Sequence, residues 1–273
     1  MTTNGRKAHT MPVTTYRRYV ALGDSQTEGM GDGDDVSGLR GWADRLAVQL
    51  AASSPGLSYA NLAVRGRLAG QIRAEQLEPA LALRPDLATV VAGMNDLLRP
   101  RFDADEVAAH LEEMFAALTA AGAQVATLTF PNLARLIPVA RPLSPRVTAL
   151  NSRIRAAALR HGVIVAETAY HPVVTDPRLW SSDRLHAGPV GHARIAAAIA
   201  HALAVPGSDD SWTRPLPELA SGGRRSVVAG ELRWVATFLG PWIGRRLRGR
   251  SSGDGRTAKR PGLLPVPASA ETD

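Results

Sequence analysis

Four short stretches of this 273-residue sequence carry side chains suited to acyl transfer: Gly23-Asp24-Ser25, Asn61 to Gly66, Gly93-Met94-Asn95-Asp96, and Asp183-Arg184-Leu185-His186. Ester hydrolysis needs a nucleophile, a base to activate it and donors for the tetrahedral oxyanion. Ser25 follows an apolar run and stands where a strand turns into a helix, so its hydroxyl is exposed there and its amide lies near a helix N-terminus. His186 can take the Ser25 proton and return it to a leaving alcohol. Asp183, three residues earlier, is close enough to orient the imidazole and stabilise its charged form. Each residue taken singly also has a plain structural use. Ser25 can cap a helix, Gly66 can make a turn, and Asn95-Asp96 can cap the next helix. A lone histidine is more often satisfied than catalytic, and His192 is read that way. Only the joint placement of the four stretches favours chemistry.

The elements that must hold these residues alternate between two periods. Strand signals lie at Tyr16–Gly23, 57–62, Asp86–Ala92, Gln124–Phe130 and Val163–Glu167. Helix signals lie at 39–53, 69–82 with a bend or break at Pro79, Asp103–Ala121, Ser144–His161 and Val190–Leu203. The helix at 103–121 is marked by the stripe Val107, Leu111, Met114, Phe115 and Leu118. Ser144 is placed at the N-cap of the next helix and Pro145 at its first position. A Pro-rich loop fills 171–189. Five strands separated by helices imply an α/β fold, a three-layer doubly wound parallel sheet. Ligands of such sheets bind at the carboxyl ends of the strands, where the four stretches fall.

On these residues the sequence resembles the SGNH (GDSL-type) serine hydrolases, whose four blocks center on Ser, Gly, Asn and His in this order. The resemblance spans roughly 16–204 and includes GDSQTEG, GMNDLLRP and DRLH. It implies a flavodoxin-like five-stranded sheet and a Ser25–His186–Asp183 triad. It also implies an oxyanion hole made by the Ser25 amide, the Gly66 amide and the Asn95 side chain. The implied activity is serine esterase or lipase-like acyl hydrolysis of a small-molecule or lipid-like ester. O-deacetylation of a carbohydrate or another small molecule is the runner-up, and a non-catalytic membrane-associated module is disfavoured because Ser25, Asp183 and His186 are all present. Two features depart from the usual pattern. Ala187-Gly188 follows His186, and Arg65 and Arg67 flank Gly66; these arginines are read as solvated loop residues in preference to an anion-recruiting pair. GWADRLA and PWIGRRLRGRSSGDG resemble actinobacterial members of the family.

Composition narrows the rest. There is no cysteine, hence no disulfide, thiolate nucleophile or thiolate-bound metal. Residues 28–38 hold Asp32, Asp34 and Asp35, but lack the later bidentate glutamate of a calcium loop; they are read as a flexible rim over the site. No metal and no cofactor is expected. Residues 1–223 carry 22 basic and 21 acidic residues, and 224–273 carry 10 and 4, so the basic excess belongs to the tail. The expected organisation is a flexible stretch 1–15, a hydrolase domain 16–205, a linker and amphipathic helix 206–250, and a disordered basic tail 251–273. The stripe Val228, Leu232, Val235, Leu239 and Trp242, followed by Arg245, Arg246, Arg248 and Arg250, marks the C-terminal helical extension. Packing on the domain or on a second subunit is favoured for 225–250, peripheral membrane contact comes second, and no nucleic acid is expected. No secretory signal and no membrane span is visible, which points to a cytoplasmic protein, with peripheral membrane contact through 225–250 the alternative. The oligomeric state is left open.

Overall fold

The computed structural model describes residues 15–218, apart from 133 and 135, together with 237 and 252–267. At its centre β1 (Arg18–Gly23) is flanked by β4 (Ser58–Asn61) and β5 (Leu87–Val91), and β6 (Gln124–Leu128) and β7 (Ile164–Ala166) extend the sheet beyond β5. All these pairings are parallel. The residues of β1 after Arg18 and every residue of β5 are buried, as their near-continuous apolar runs require of strands covered on both faces. Helices α2 (Trp42–Ser53) and α7 (Pro189–Ala202) pack together, while α3 (Ala69–Ala82), α5 (Ala104–Ala120) and α6 (Ser144–His161) form a second group. Short pieces complete the fold: α1 (Ser25–Glu28), the hairpin β2 (Gly33–Asp34) and β3 (Gly38–Leu39), and α4 (Met94–Leu97).

The α5 stripe is buried as its spacing predicts, and the Asp103 carboxylate caps the helix by accepting from the Asp105 and Glu106 amides. Pro79 neither bends α3 to a stop nor breaks it; the helix continues to Ala82. Ser144 is the first residue of α6 and not its cap, because a 3-10 turn over Pro138–Leu143 leads directly into the helix.

The sheet has six strands and not five. The sixth, β8 (Arg260–Pro265), lies antiparallel on the outer edge of β4, within the tail expected to be disordered. Its two prolines and polar surroundings argue against a central strand, yet proline is tolerated at a sheet edge. Side chains hold it there. The Arg260 guanidinium donates to the Tyr59 carbonyl at 2.7 Å and lies over the Tyr59 ring, and Lys259 Nζ pairs with Asp44 at 2.6 Å. Leu263 and Val266 pack on the main core. The expectations for 1–15 and for the helix at 225–250 lie outside the described residues, apart from Thr15 and Thr237. Among the described residues no helix is long and apolar enough to cross a membrane.

Candidate active site

β1 ends at a position that only glycine fits. A Cβ on Gly23 would come within 2.3 Å of Thr27 Oγ1 and 2.8 Å of the Val91 carbonyl. The buried Gln76 side chain from α3 pairs with both the N–H and the C=O of Gly23, at 2.9 Å each, so the strand end is held by the helix as well as by its neighbours in the sheet. The chain then turns through Asp24 into α1, whose first residue is Ser25.

Ser25 Oγ lies 2.9 Å from His186 Nε2, and His186 Nδ1 lies 2.6 Å from Asp183 Oδ2. With Nδ1–H donated to the aspartate, Nε2 is left to accept the serine proton. The second Asp183 oxygen accepts from Ser181 Oγ, the Leu185 amide and the His186 amide. Burial alone would raise the Asp183 carboxyl. The hydrogen bond and charge of His186, with the donors of the turn, outweigh burial and hold it well below the usual carboxylate range. The turn is tight enough to place Arg184 in the left-handed region, at φ 58°.

Gly66 is also left-handed, at φ 77°. The Ser25 and Gly66 amides have no hydrogen-bond partner among the described residues. Asn95 lies across from them, its Nδ2 donating to Asp24 Oδ2 at 3.0 Å and to the Arg67 carbonyl at 3.1 Å. Ser25, His186 and Asp183 form one hydrogen-bonded line and Asn95 shares their cleft, whereas Gly66 does not line the cleft and is linked to it only through the Arg67 carbonyl that Asn95 bonds. Asp24 is buried beneath them, and burial pushes its carboxyl up to about 6 against the lowering effect of the Gln26 amide, His186 and Asn95. Asp96 accepts from the Ala69 amide at the start of α3, a structural use.

Ser25, Asn95 and His186 line a cleft walled by apolar side chains such as Leu97, Leu98, Ile137 and Val147. A profile of the GDSL-like lipase/acylhydrolase family matches residues 21–194, well over half of the chain. The chain belongs to that family. It is an ester-bond hydrolase. Among curated proteins none matches it significantly. Solved structures that share the fold include a catalytic mutant of the acetylxylan esterase Axe2 from Geobacillus stearothermophilus, with TM-score 0.60 and 18% identity over 76% of this chain and 100% of that one. The enzyme LAE5 from the metagenome of Lake Arreo, Spain, gives 0.58 and 22% over 70% and 97%. The psychrotrophic esterase EstA from Pseudoalteromonas gives 0.55 and 16% over 69% and 97%.

Within this GDSL-like hydrolase the flanking arginines do not line the cleft. Arg65 is buried in a bidentate pair with Glu28 and also bonds Asp35, and Arg67 pairs with Glu75. The loop expected to be a flexible rim over the site is a fastened hairpin. Asp32 pairs with Arg45, Asp35 with Arg65 and Arg256, and Asp34 accepts from the amides and hydroxyl of its own turn. His192 is fully buried. It accepts from the Trp42 amide at Nδ1 and donates from Nε2 to the Met30 carbonyl, and burial lowers its pKa.

Sequence reasoning missed the carboxamides that hold the loops. Gln26 Nε2 donates to the Leu185 carbonyl at 3.0 Å, and its Oε1 accepts from the Ala187 amide at 3.2 Å. The residue next to Ser25 thus clamps the backbone on both sides of His186. Asn151 pairs with both backbone groups of Phe130 in the same way. A glutamine directly after the nucleophile was the available signal for Gln26. Gln76 and Asn151, on helices far along the chain, carried none.

Proposed function

We propose that the enzyme is a serine acyl hydrolase in which Ser25 is the nucleophile, His186 the base and Asp183 its orienting partner. The observation that carries this reading is the continuous hydrogen-bonded line from Ser25 Oγ through both imidazole nitrogens to Asp183. Ser25 Oγ attacks the ester carbonyl as its proton passes to His186 Nε2. Asp183, ionised over the whole working range, stabilises the imidazolium. The oxyanion is met by the Ser25 and Gly66 amides and by an Asn95 N–H. Both Asn95 N–H groups are engaged at rest, so the oxyanion competes with Asp24 or the Arg67 carbonyl for one of them, and the bond forms fully only as charge develops. His186 then returns the proton to the leaving alkoxide, and a second cycle with water as nucleophile releases the acid.

The substrate class is a small or lipid-like carboxylic ester. Apolar side chains make most of the cleft wall, and no Phe, Tyr or Trp lines the cleft itself among the described residues, which argues against a site built on sugar stacking. The test is a panel of acyl esters and acetylated sugars run on the wild type and on Ser25→Ala, with a serine-directed phosphonate as label. The expected result is labelling at Ser25, a loss of at least ~10³-fold in ester turnover in the variant, and preference for the acyl esters. Full activity in Ser25→Ala would overturn the nucleophile; preference for acetylated sugars would overturn the substrate class.

A further inference from the structure

Beside the catalytic cleft lies a second recess, walled almost wholly by carbon. It sits at the carboxyl ends of β5 and β6 and is enclosed by Leu128, Phe130, Val174, Trp180, Ile195 and Trp212. Gln26, Met94 and Pro131 line both spaces, so the two are neighbours on either side of the residue next to Ser25. Close-packed interiors keep few spaces wider than a water molecule, and an apolar one holds water poorly. An apolar recess next to the cleft that holds a reacting serine is suited to an apolar part of the substrate.

Resting on the reading of Ser25 and His186 given above, we infer that this recess takes the acyl chain of the ester, and that the leaving alcohol occupies the outer cleft. The direction follows from proton transfer. His186 must reach the leaving oxygen to protonate it, and His186 lines the outer cleft and not the recess. The limb of the tetrahedral centre directed away from His186 is the acyl limb. Its route passes Gln26, whose amide is already spent on Leu185 and Ala187 and so presents no unpaired polar group to a passing chain. The enzyme is therefore a hydrolase of medium-chain acyl esters, and acetyl esters are its poorer substrates.

Two series of esters test this. In one the leaving group is p-nitrophenol and the acyl chain grows from acetyl to decanoyl; in the other the acyl group is acetyl and the alcohol grows. The wild type is expected to gain about fourfold in kcat/KM per methylene in the acyl series until the recess is full, with little gain in the alcohol series. Val174→Trp and Ile195→Trp fill the recess from different elements and touch none of the catalytic groups. Each should lower the ratio of octanoyl- to acetyl-ester kcat/KM at least tenfold. A flat acyl series, a gain confined to the alcohol series, or a gain that survives both substitutions would overturn the inference. The wild-type series decides even where a variant fails to fold. Failure of the catalytic reading looks different: no ester is turned over at any chain length and Ser25 takes no phosphonate.

Discussion

Two neighbouring loops at the catalytic edge of the sheet use the same residue type for opposite ends. Residues 181–187 carry Asp183, and residues 30–39 carry Asp32, Asp34 and Asp35; they touch closely enough that a Cβ on Gly31 would meet the Ala187 carbonyl at 2.2 Å. In the second loop two of the aspartates face guanidinium groups, which hold their protons at every working pH. Those carboxylates can only fasten. In the first loop Asp183 faces an imidazole, which changes its charge within one turnover. The partner, and not the carboxylate, decides which loop is a clasp and which does proton chemistry.

Exchanging carboxylate for carboxamide in each loop is the sharpest way to break this contrast. Asp183→Asn should lower kcat by ~10³-fold or more, yet hurt less than His186→Ala, because it disturbs tautomer and orientation while the base remains. Asp35→Asn should leave kcat within about twofold and lower the melting temperature. A large kcat loss from Asp35→Asn would show that the clasp reaches the chemistry. Next in size is Gln26→Leu, which keeps volume but removes both bonds that flank His186. A roughly tenfold fall in kcat and a lower melting temperature are expected, since each such bond contributes about 0.5–1.5 kcal/mol to stability; unchanged kcat would mean the loop holds His186 unaided. The smallest effect concerns Asp24, a carboxylate with neither a guanidinium nor a direct imidazole bond. Its folded-state carboxyl, at about 6, lies above the ordinary value near 4. The folded protein thus binds more protons than the unfolded chain between those limits, and this residue's contribution to stability is present at low pH and lost as pH rises through about 6. Asp24→Asn should remove that slope, worth roughly 1–3 kcal/mol between pH 4 and 7 in denaturant titrations. An unchanged slope would show that Asp24 stays ionised throughout.

Much of this was legible in the sequence for physical reasons. β5, covered on both faces, read as a nearly unbroken apolar run, and β1, β4, β6 and β7 read as short strand segments between helical signals. Ser25 and Asn95 stood out because each follows a strand end, and Asp183 and His186 because they share one short turn; the role of Gly66 came only from the resemblance. What was hidden depends on distant partners. The fate of Arg65 was settled by Glu28 and Asp35, and the hairpin is fastened by Arg45, Arg65 and Arg256. β8 has little propensity of its own; it exists because β4 offers an unpaired edge and Tyr59 offers a ring for Arg260.

That sixth strand also sets an order of assembly. Arg260 reaches a partner 201 residues earlier in the chain, at Tyr59. While the chain is being synthesised, β1, β4, β5, β6 and β7 can meet long before β8 leaves the ribosome, and β4 waits with one row of amides and carbonyls unpaired. Such an edge can recruit the same edge of another nascent chain. The window for that error is as long as the time needed to translate the intervening residues, so slowing translation within this stretch, or cutting the chain before residue 260, should favour pairing between molecules over closure within one.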